Sequence, residues 1–294
     1  MLKSVIVSGK NCGALAKEVS SRLGVPFYQA YTRSFPDGEV YTRLPKAVPE
    51  KHVVLFVCMG KRPNHGLIEA LLLADAARRH GAGEITLVAP YMPYARQDSV
   101  FVEGEPLSIK AVAKLLEEAG ISRVVTVDMH LHRFKGVEEV FDIPAINVSA
   151  VPLIAEYVKR KYGSLMVVAP DEEASQWASI AAGVMGSKYF VLEKERSGDE
   201  EVEITGYVEA AEKVLIVDDI ISTGGTIQRA SSLLREKGVK DVVVGCTHAL
   251  LVGGAEAKIF NSGVIELVAT DTVPNPYAKV SVAPAIVSAL EGVV

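Results

Sequence analysis

The chain has 294 residues, 49% of them hydrophobic, and a formal net charge of −5. That length suits two domains of roughly 100–200 residues each, and an acidic balance without a basic block argues against a nucleic-acid partner. No apolar run reaches the ~18–20 residues of a membrane span, and MLKSVIVSGKN lacks the apolar core of a secretory signal, so a cytoplasmic protein with no membrane partner is expected.

From the amino terminus, SVIVSG, HVVLFVCM, EITLVAP and RVVTVDM are β-branched apolar runs closed by Gly, Pro or Asp, the pattern of buried strands. Between them GALAKEVSSRLG, HGLIEALLLADAARRHG and LSIKAVAKLLEEAG have helical spacing and end at Gly, and Ser108 is placed as an N-cap. SFPDGE at 34–39 is a tight turn of the kind found in hairpins. The first series closes near FDIPAINVS, with a boundary at Asn147.

A second series follows. LMVVAP, KYFVLEK, KVLIVDD, DVVVGCTHAL and VIELVAT are strands; SAVPLIAEYVKRKYG, EASQWASIAAGVMG and TIQRASSLLREKG are helices. Such alternation means right-handed βαβ units. The expected class is α/β: two similar domains, 1–147 and 148–282, each a mainly parallel sheet flanked by helices. A terminal helix, 283–294, is expected to fold back on the first. Cys12, Cys58 and Cys246 are widely spaced and are expected as buried small hydrophobes in a reducing compartment.

In such sheets ligands sit beyond the carboxyl ends of strands. The strongest candidate is VLIVDDIISTGGTIQRA, a strand, a loop and a helix. Ser222, Thr223, Gly224, Gly225 and Thr226 fall at the helix start, where backbone N–H groups and the helix dipole favour an anion. GxxxxGK[ST] is absent, so a lone phosphate fits better than a nucleoside triphosphate. Asp218 and Asp219 precede the loop and can accept from vicinal hydroxyls or approach a metal. A sugar phosphate satisfies both halves.

This stretch resembles the phosphoribosyl-pyrophosphate loop shared by type I phosphoribosyltransferases and phosphoribosyl-pyrophosphate synthases, and by itself does not separate them. YMPYARQD at 91–98 is similar to the ATP loop of the ribose-phosphate pyrophosphokinase family, with Arg96 and Gln97 as implied ATP contacts and Ser99 where many relatives carry a basic residue. DMHLH at 128–132 resembles that family's magnesium–ATP segment; Asp128 and His130 alternate at a strand end, and His132 receives no role. VAPDEEAS carries Asp171, implied at the ribose and its metal, followed by Glu172 and Glu173 where relatives have small residues. Lys194 and Arg196 in LEKERSGDE resemble the catalytic flexible loop. SFPDGE resembles the adenine-binding turn: Phe35 stacks, while Asp37 and Glu39 accept from the base or hold the turn. Asn64-His65 stands where relatives commonly have Asn-Asp.

With these motifs in family order, the resemblance implies two type I phosphoribosyltransferase-like domains, an ATP side first and a ribose 5-phosphate side second. The implied reaction moves the β,γ-diphosphoryl group of ATP to the anomeric hydroxyl of ribose 5-phosphate. Mg²⁺ is the implied cofactor, with His130, Asp171 and Asp128 as ligands. Since the family's turn reaches a neighbouring subunit's site, a homo-oligomer, at least a dimer, is implied. The rivals are a phosphoribosyltransferase, which leaves PYARQD, DMH and FPDGE without work, and an inactive regulatory relative.

Overall fold

The unbroken apolar runs become strands that are covered on both faces. In the computed structural model, which describes residues 4–45, 51–197, 201–205 and 211–294 (backbone alone at 193–197 and 201–205), all five residues of the strand His52–Phe56 are buried. Fully burying each such Val, Leu or Ile contributes roughly 1.5–3 kcal/mol. The chain divides into two units: Met1–Ser149 with Thr272–Pro274 and Ser281–Val294, and Ala150–Asp271 with Asn275–Val280.

The first unit runs β1 (Ser4–Ser8), α1 (Gly13–Leu23), β2 (Phe27–Gln29), β3 (Tyr31–Ser34), β4 (Val40–Arg43), β5 (His52–Phe56), α2 (Pro63–Arg79), β6 (Glu84–Ala89), α3 (Ser108–Glu118), β7 (Arg123–Val127) and β8 (Ala145–Val148). Its sheet has the order β2-β1-β5-β6-β7-β8, and each neighbouring pair is parallel. β3 and β4 form a separate antiparallel hairpin. The chain steps from β1 outward to β2, then returns across β1 to β5. The order therefore reverses between β1 and β5.

The second unit repeats this plan. It runs α4 (Val151–Tyr162), β9 (Met166–Ala169), α5 (Ser175–Met185), β10 (Tyr189–Val191), β11 (Glu193–Ser197), β12 (Glu201–Thr205), β13 (Lys213–Ile221), α6 (Gly225–Glu236), β14 (Asp241–Ala249), α7 (Ala255–Asn261), β15 (Val264–Thr270) and β16 (Ala278–Val280). The sheet order is β10-β9-β13-β14-β15-β16, again all parallel, and the reversal falls between β9 and β13. β11 and β12 pair as a hairpin at the same point of the order as β3 and β4. Finally α8 (Ala283–Leu290) packs on α1 within the first unit, where Ser281 Oγ donates to Glu18 Oε2 at 2.9 Å. The expected α/β class with two parallel sheets is what the chain forms. Among the described residues no helix is long and apolar enough to cross a membrane.

Several local expectations change. Ser108 is the first residue of α3, not its cap; Leu107 holds the cap position, and the Ser108 hydroxyl donates to Gln97 Oε1. β13 does not stop at the aspartate pair but continues to Ile221. α7 was not foreseen. Cys12 and Cys58 are joined as a disulfide with a Cα–Cα distance of 5.1 Å, which corrects the expectation of free thiols. Adjacent parallel strands β1 and β5 bring the two together, although 46 residues separate them in sequence. Cys246 is a buried free thiol, as expected.

Alkylation in denaturant without reductant is therefore expected to label Cys246 alone, and all three cysteines after reduction. A disulfide closing a loop of this length constrains the unfolded chain by about 4 kcal/mol in the chain-entropy account. Reductant should lower the urea midpoint accordingly; three reactive thiols without reductant would contradict the pairing.

Candidate active site

In the second unit the strand-order reversal places the ends of β9 and β13 side by side, the position where open α/β sheets bind ligands. Asp218 and Asp219 lie within the last half of β13, Asp218 half-buried and Asp219 buried. The Asp219 N–H donates to Asp218 Oδ1 at 2.9 Å, and the Ile220 N–H to Asp219 Oδ1 at 2.7 Å. Asp171 follows β9 and caps a single 3₁₀ turn, Glu172–Ala174, its Oδ1 accepting from the Ala174 N–H at 3.2 Å. Glu172 and Glu173 are exposed in that turn. Burial, then the charge of Asp219, then that of Asp171, push the Asp218 carboxyl well above the usual carboxylate range. The bond from the Asp219 N–H opposes this but does not outweigh it.

Beyond β13 the chain turns at Ser222–Gly224 and enters α6 at Gly225. Gly224 has φ 76°, and a Cβ there would meet the Ala255 carbonyl oxygen at 3.0 Å, so backbone geometry and the approach of α7 both require glycine. As the N-cap it offers no side chain to the first N–H groups of α6, which leaves the helix start suited to an anion. The outer side of the turn is fixed: the Val252 N–H donates to the Ser222 carbonyl at 2.9 Å, and the Leu250 N–H to the Ile221 carbonyl at 3.0 Å. Ser222 and Thr226 are half-buried and Thr223 is exposed. Lys194 and Arg196 sit on β11, opposite Ile204 and Val202 of β12. Most of the charged segment expected to be mobile after Arg196 lies outside the described residues, at 198–200.

In the first unit the loops after β6 and β7 are tied together. Arg96 is exposed; Gln97 is half-buried and accepts from Ser108. Asp98 is buried and accepts from Arg133 Nη1 at 2.9 Å. The expected alternation of Asp128 and His130 does not occur. β7 ends at Val127, Asp128 takes φ 36° and is 1% exposed, and His130 is half-buried. The left-handed residue breaks the two-residue period on which alternation depends. His132, given no role from sequence, places its Nε2 3.1 Å from His130 Nδ1.

The hairpin carries the remaining candidates. At its turn the Phe35 N–H donates to the Glu39 carbonyl at 2.8 Å, and the Glu39 N–H to Asp37 Oδ1 at 3.1 Å. Asp37 is thus engaged in holding the turn. The Arg33 guanidinium lies 4.1 Å from the Phe35 ring centre, and Tyr41 meets that ring edge-on at 6.0 Å. Phe35 and Glu39 line a cleft of about 760 Å³ with Arg62, Asn64, His65 and Ile68. Tyr94, held at φ 66°, donates its hydroxyl to Asn64 Oδ1, which links the YMPYARQD loop to this cleft. Sequence reading missed Arg62 and Tyr94, and it noted Asn64-His65 only as a departure.

Comparison with known proteins gives the family. A family model described as the N-terminal domain of ribose phosphate pyrophosphokinase matches residues 4–120, and a phosphoribosyl transferase domain model matches residues 136–262. The ribose-phosphate pyrophosphokinase of Methanopyrus kandleri is 38% identical over 281 residues, 94% of this chain and 95% of the relative. Ribose-phosphate pyrophosphokinase 1 of Archaeoglobus fulgidus is 38% identical over 288 residues, 97% of this chain and 99% of the relative. The crystal structure of phosphoribosylpyrophosphate synthetase from Mycobacterium smegmatis superposes with a TM-score of 0.86 at 31% identity, covering 99% of this chain and 98% of that one. The chain belongs to the ribose-phosphate pyrophosphokinase family, with archaeal members among its relatives.

Proposed function

We propose that this chain is a ribose-phosphate diphosphokinase. The anomeric hydroxyl of ribose 5-phosphate attacks the β-phosphorus of ATP, and the bond between that phosphorus and the α,β-bridging oxygen breaks. The hydroxyl proton is released, AMP leaves, and phosphoribosyl pyrophosphate forms. The crowding of Asp171, Asp218 and Asp219 beside the uncapped start of α6 supports the ribose 5-phosphate half of this reading, and the match of residues 4–120 to the N-terminal domain of ribose phosphate pyrophosphokinase favours it over a phosphoribosyltransferase. Carboxylates accept from vicinal hydroxyls, and the helix start takes a phosphate. Ser222, Thr223, Gly224, Gly225 and Thr226 hold the 5-phosphate, and Asp218 and Asp219 hold the ribose hydroxyls.

Phosphoryl transfer of this kind depends on positioning and on meeting the charge that moves. Lys194, Arg196 and Arg96 supply that charge. Phe35, Asp37 and Glu39 seat the adenine, while Gln97 and His130 contact the ATP polyphosphate. The crowding of Asp171 with Asp218 and Asp219 fits Mg²⁺, because crowded carboxylates are relieved by a hard cation with oxygen ligands. Asp171 in the second unit, and His130 with Asp128 in the first, are the residues assigned to it. When bound, Mg²⁺ neutralises phosphate oxygens and lowers the charge barrier to attack. In the same reading the exposed hairpin, bearing Tyr31, Phe35 and Tyr41, reaches a neighbouring subunit's site, and light scattering during turnover measures the oligomer.

With ATP, Mg²⁺ and ribose 5-phosphate, AMP should appear in equal amount to phosphoribosyl pyrophosphate; ADP in its place would rule out diphosphoryl transfer. Asp218→Asn should weaken ribose 5-phosphate roughly 10–100-fold, the loss of a charged hydrogen bond of about 1.5–3 kcal/mol, and change ATP little by isothermal titration. The same substitution should raise the melting temperature at neutral pH without Mg²⁺. A carboxyl raised in the folded state contributes its stability below the ordinary carboxylate value and loses it as pH rises through the raised one. The advantage of Asn should therefore grow with pH; a melting temperature that falls would contradict it. Lys194→Ala should lower kcat about 10²–10³-fold, as removal of a donor to transition-state charge does, whereas a raised KM at constant kcat would make Lys194 a ground-state binder.

A further inference from the structure

Asp98 closes the YMPYARQD stretch, and its side chain is 1% exposed. Its carboxylate takes donors from one place, the loop after β7. Arg133 Nη1 donates to Oδ1 at 2.9 Å, and the backbone N–H groups of Arg133 and His132 donate to Oδ2 at 3.1 and 3.3 Å. Charge-assisted bonds to a buried carboxylate are strong, and losing one leaves a buried charge badly placed. At the other end of the same loop, the Met129 N–H donates to Asn147 Oδ1 at 2.9 Å. The backbone is thus fixed on both sides of His130.

Between these two ties the rings of His130 and His132 meet. His132 Nε2 stands 3.1 Å from His130 Nδ1, and the ring planes are 86° apart. A neutral imidazole has one N–H and one lone-pair nitrogen, and the partner at one nitrogen decides the role of the other. A ligating histidine generally donates its second ring N–H to a neighbour, which fixes both tautomer and ring orientation.

We propose that His132 is a positioning residue for the nucleotide side of the reaction: its Nε2 accepts from His130 Nδ1–H, so that His130 presents the Nε2 lone pair to the metal–ATP complex. The proposal rests on the reading of His130 as a contact of that complex. Asp98 acts one step further back, by fixing the backbone of His132 and Arg133. A ring contact alone would be served by any flat side chain. Control of the tautomer needs an acceptor at this point, and that difference makes the role testable.

The test uses the full chain labelled with ¹⁵N at histidine, free of nucleotide, at a pH where imidazoles are neutral. Two-bond ¹H–¹⁵N correlations report which nitrogen carries the proton. Wild type should show His130 as the Nδ1–H form. His132→Phe keeps a ring but removes the acceptor, and should release His130 to the Nε2–H form. His132→Gln restores an acceptor oxygen and should return Nδ1–H. In steady state, His132→Phe should raise KM for Mg-ATP roughly 10–100-fold, the usual effect of losing a partner of a metal ligand, with KM for ribose 5-phosphate unchanged. His132→Gln should recover most of that loss. An Nε2–H form in wild type, or a His132→Phe protein with wild-type tautomer and KM, overturns the proposal. If wild type shows Nδ1–H but makes no AMP, the activity fails and the tautomer assignment stands.

Discussion

The placement of carboxylates at the ends of β9 and β13 governs the second unit. Burying an ionised carboxylate beside two others costs free energy, and the upward shift at Asp218 is that cost made visible. It persists because the strand order leaves no alternative. With β9 and β13 adjacent at the reversal, any acids after β9 and late in β13 come together. An apolar pair would be more stable there and useless for holding hydroxyls. The site is destabilised where the substrate is expected to repay it, and the buried strands on either side supply the stability that tolerates it.

The same plan in the first unit has a different outcome. At the ends of β1 and β5 the polar groups are satisfied from within. Gln29 Nε2 donates to the Ser8 and Gly9 carbonyls at 3.0 and 2.8 Å, and the Lys10 N–H donates to the buried Glu69 carboxylate at 2.8 Å. The Cys12–Cys58 disulfide sits in the same place. The candidate residues of this unit lie instead on the loops after β6 and β7 and on the hairpin. The two hairpins, β3–β4 and β11–β12, stand at equivalent points of the two series. One carries the turn assigned to adenine and the other carries Lys194 and Arg196. The two units therefore share both the strand order and the place of the inserted hairpin.

The central strands β1, β5, β6, β7, β9, β13, β14 and β15 were legible because parallel strands covered on both faces need continuous β-branched runs, whereas the short edge strands β2, β8 and β16 lack such runs and were not expected. The Ser222–Thr226 turn was legible because glycine and hydroxyl residues between a strand and a helix have few other uses. What failed did so for physical reasons. Alternation at Asp128 and His130 assumed a strand that a left-handed backbone ends. The cysteine pair was hidden because strand adjacency, not sequence spacing, decides which loops touch. The contacts of His132 and Arg133 with Asp98 could not be found at all, because Asp98 lies some 35 residues away and a single chain gives no sign of them.

The acids within the motifs divide by what their oxygens face. Asp37 takes the N–H of its own turn, Asp171 caps a 3₁₀ turn, and Asp98 takes two backbone N–H groups and a guanidinium. Such bonds shape the chain, and at Asp98, which has no other role assigned, conversion to the amide should disturb geometry before chemistry. Asp218 differs, since burial and two neighbouring carboxylates outweigh its one backbone donor. Crowding of this kind is relieved by a hydroxyl or a cation from outside the chain. Sequence shows an aspartate in each place and cannot tell these roles apart. The hydrogen-bond donors around each carboxylate can, and they set Asp218, with one backbone donor, apart from Asp98, with two backbone donors and a guanidinium.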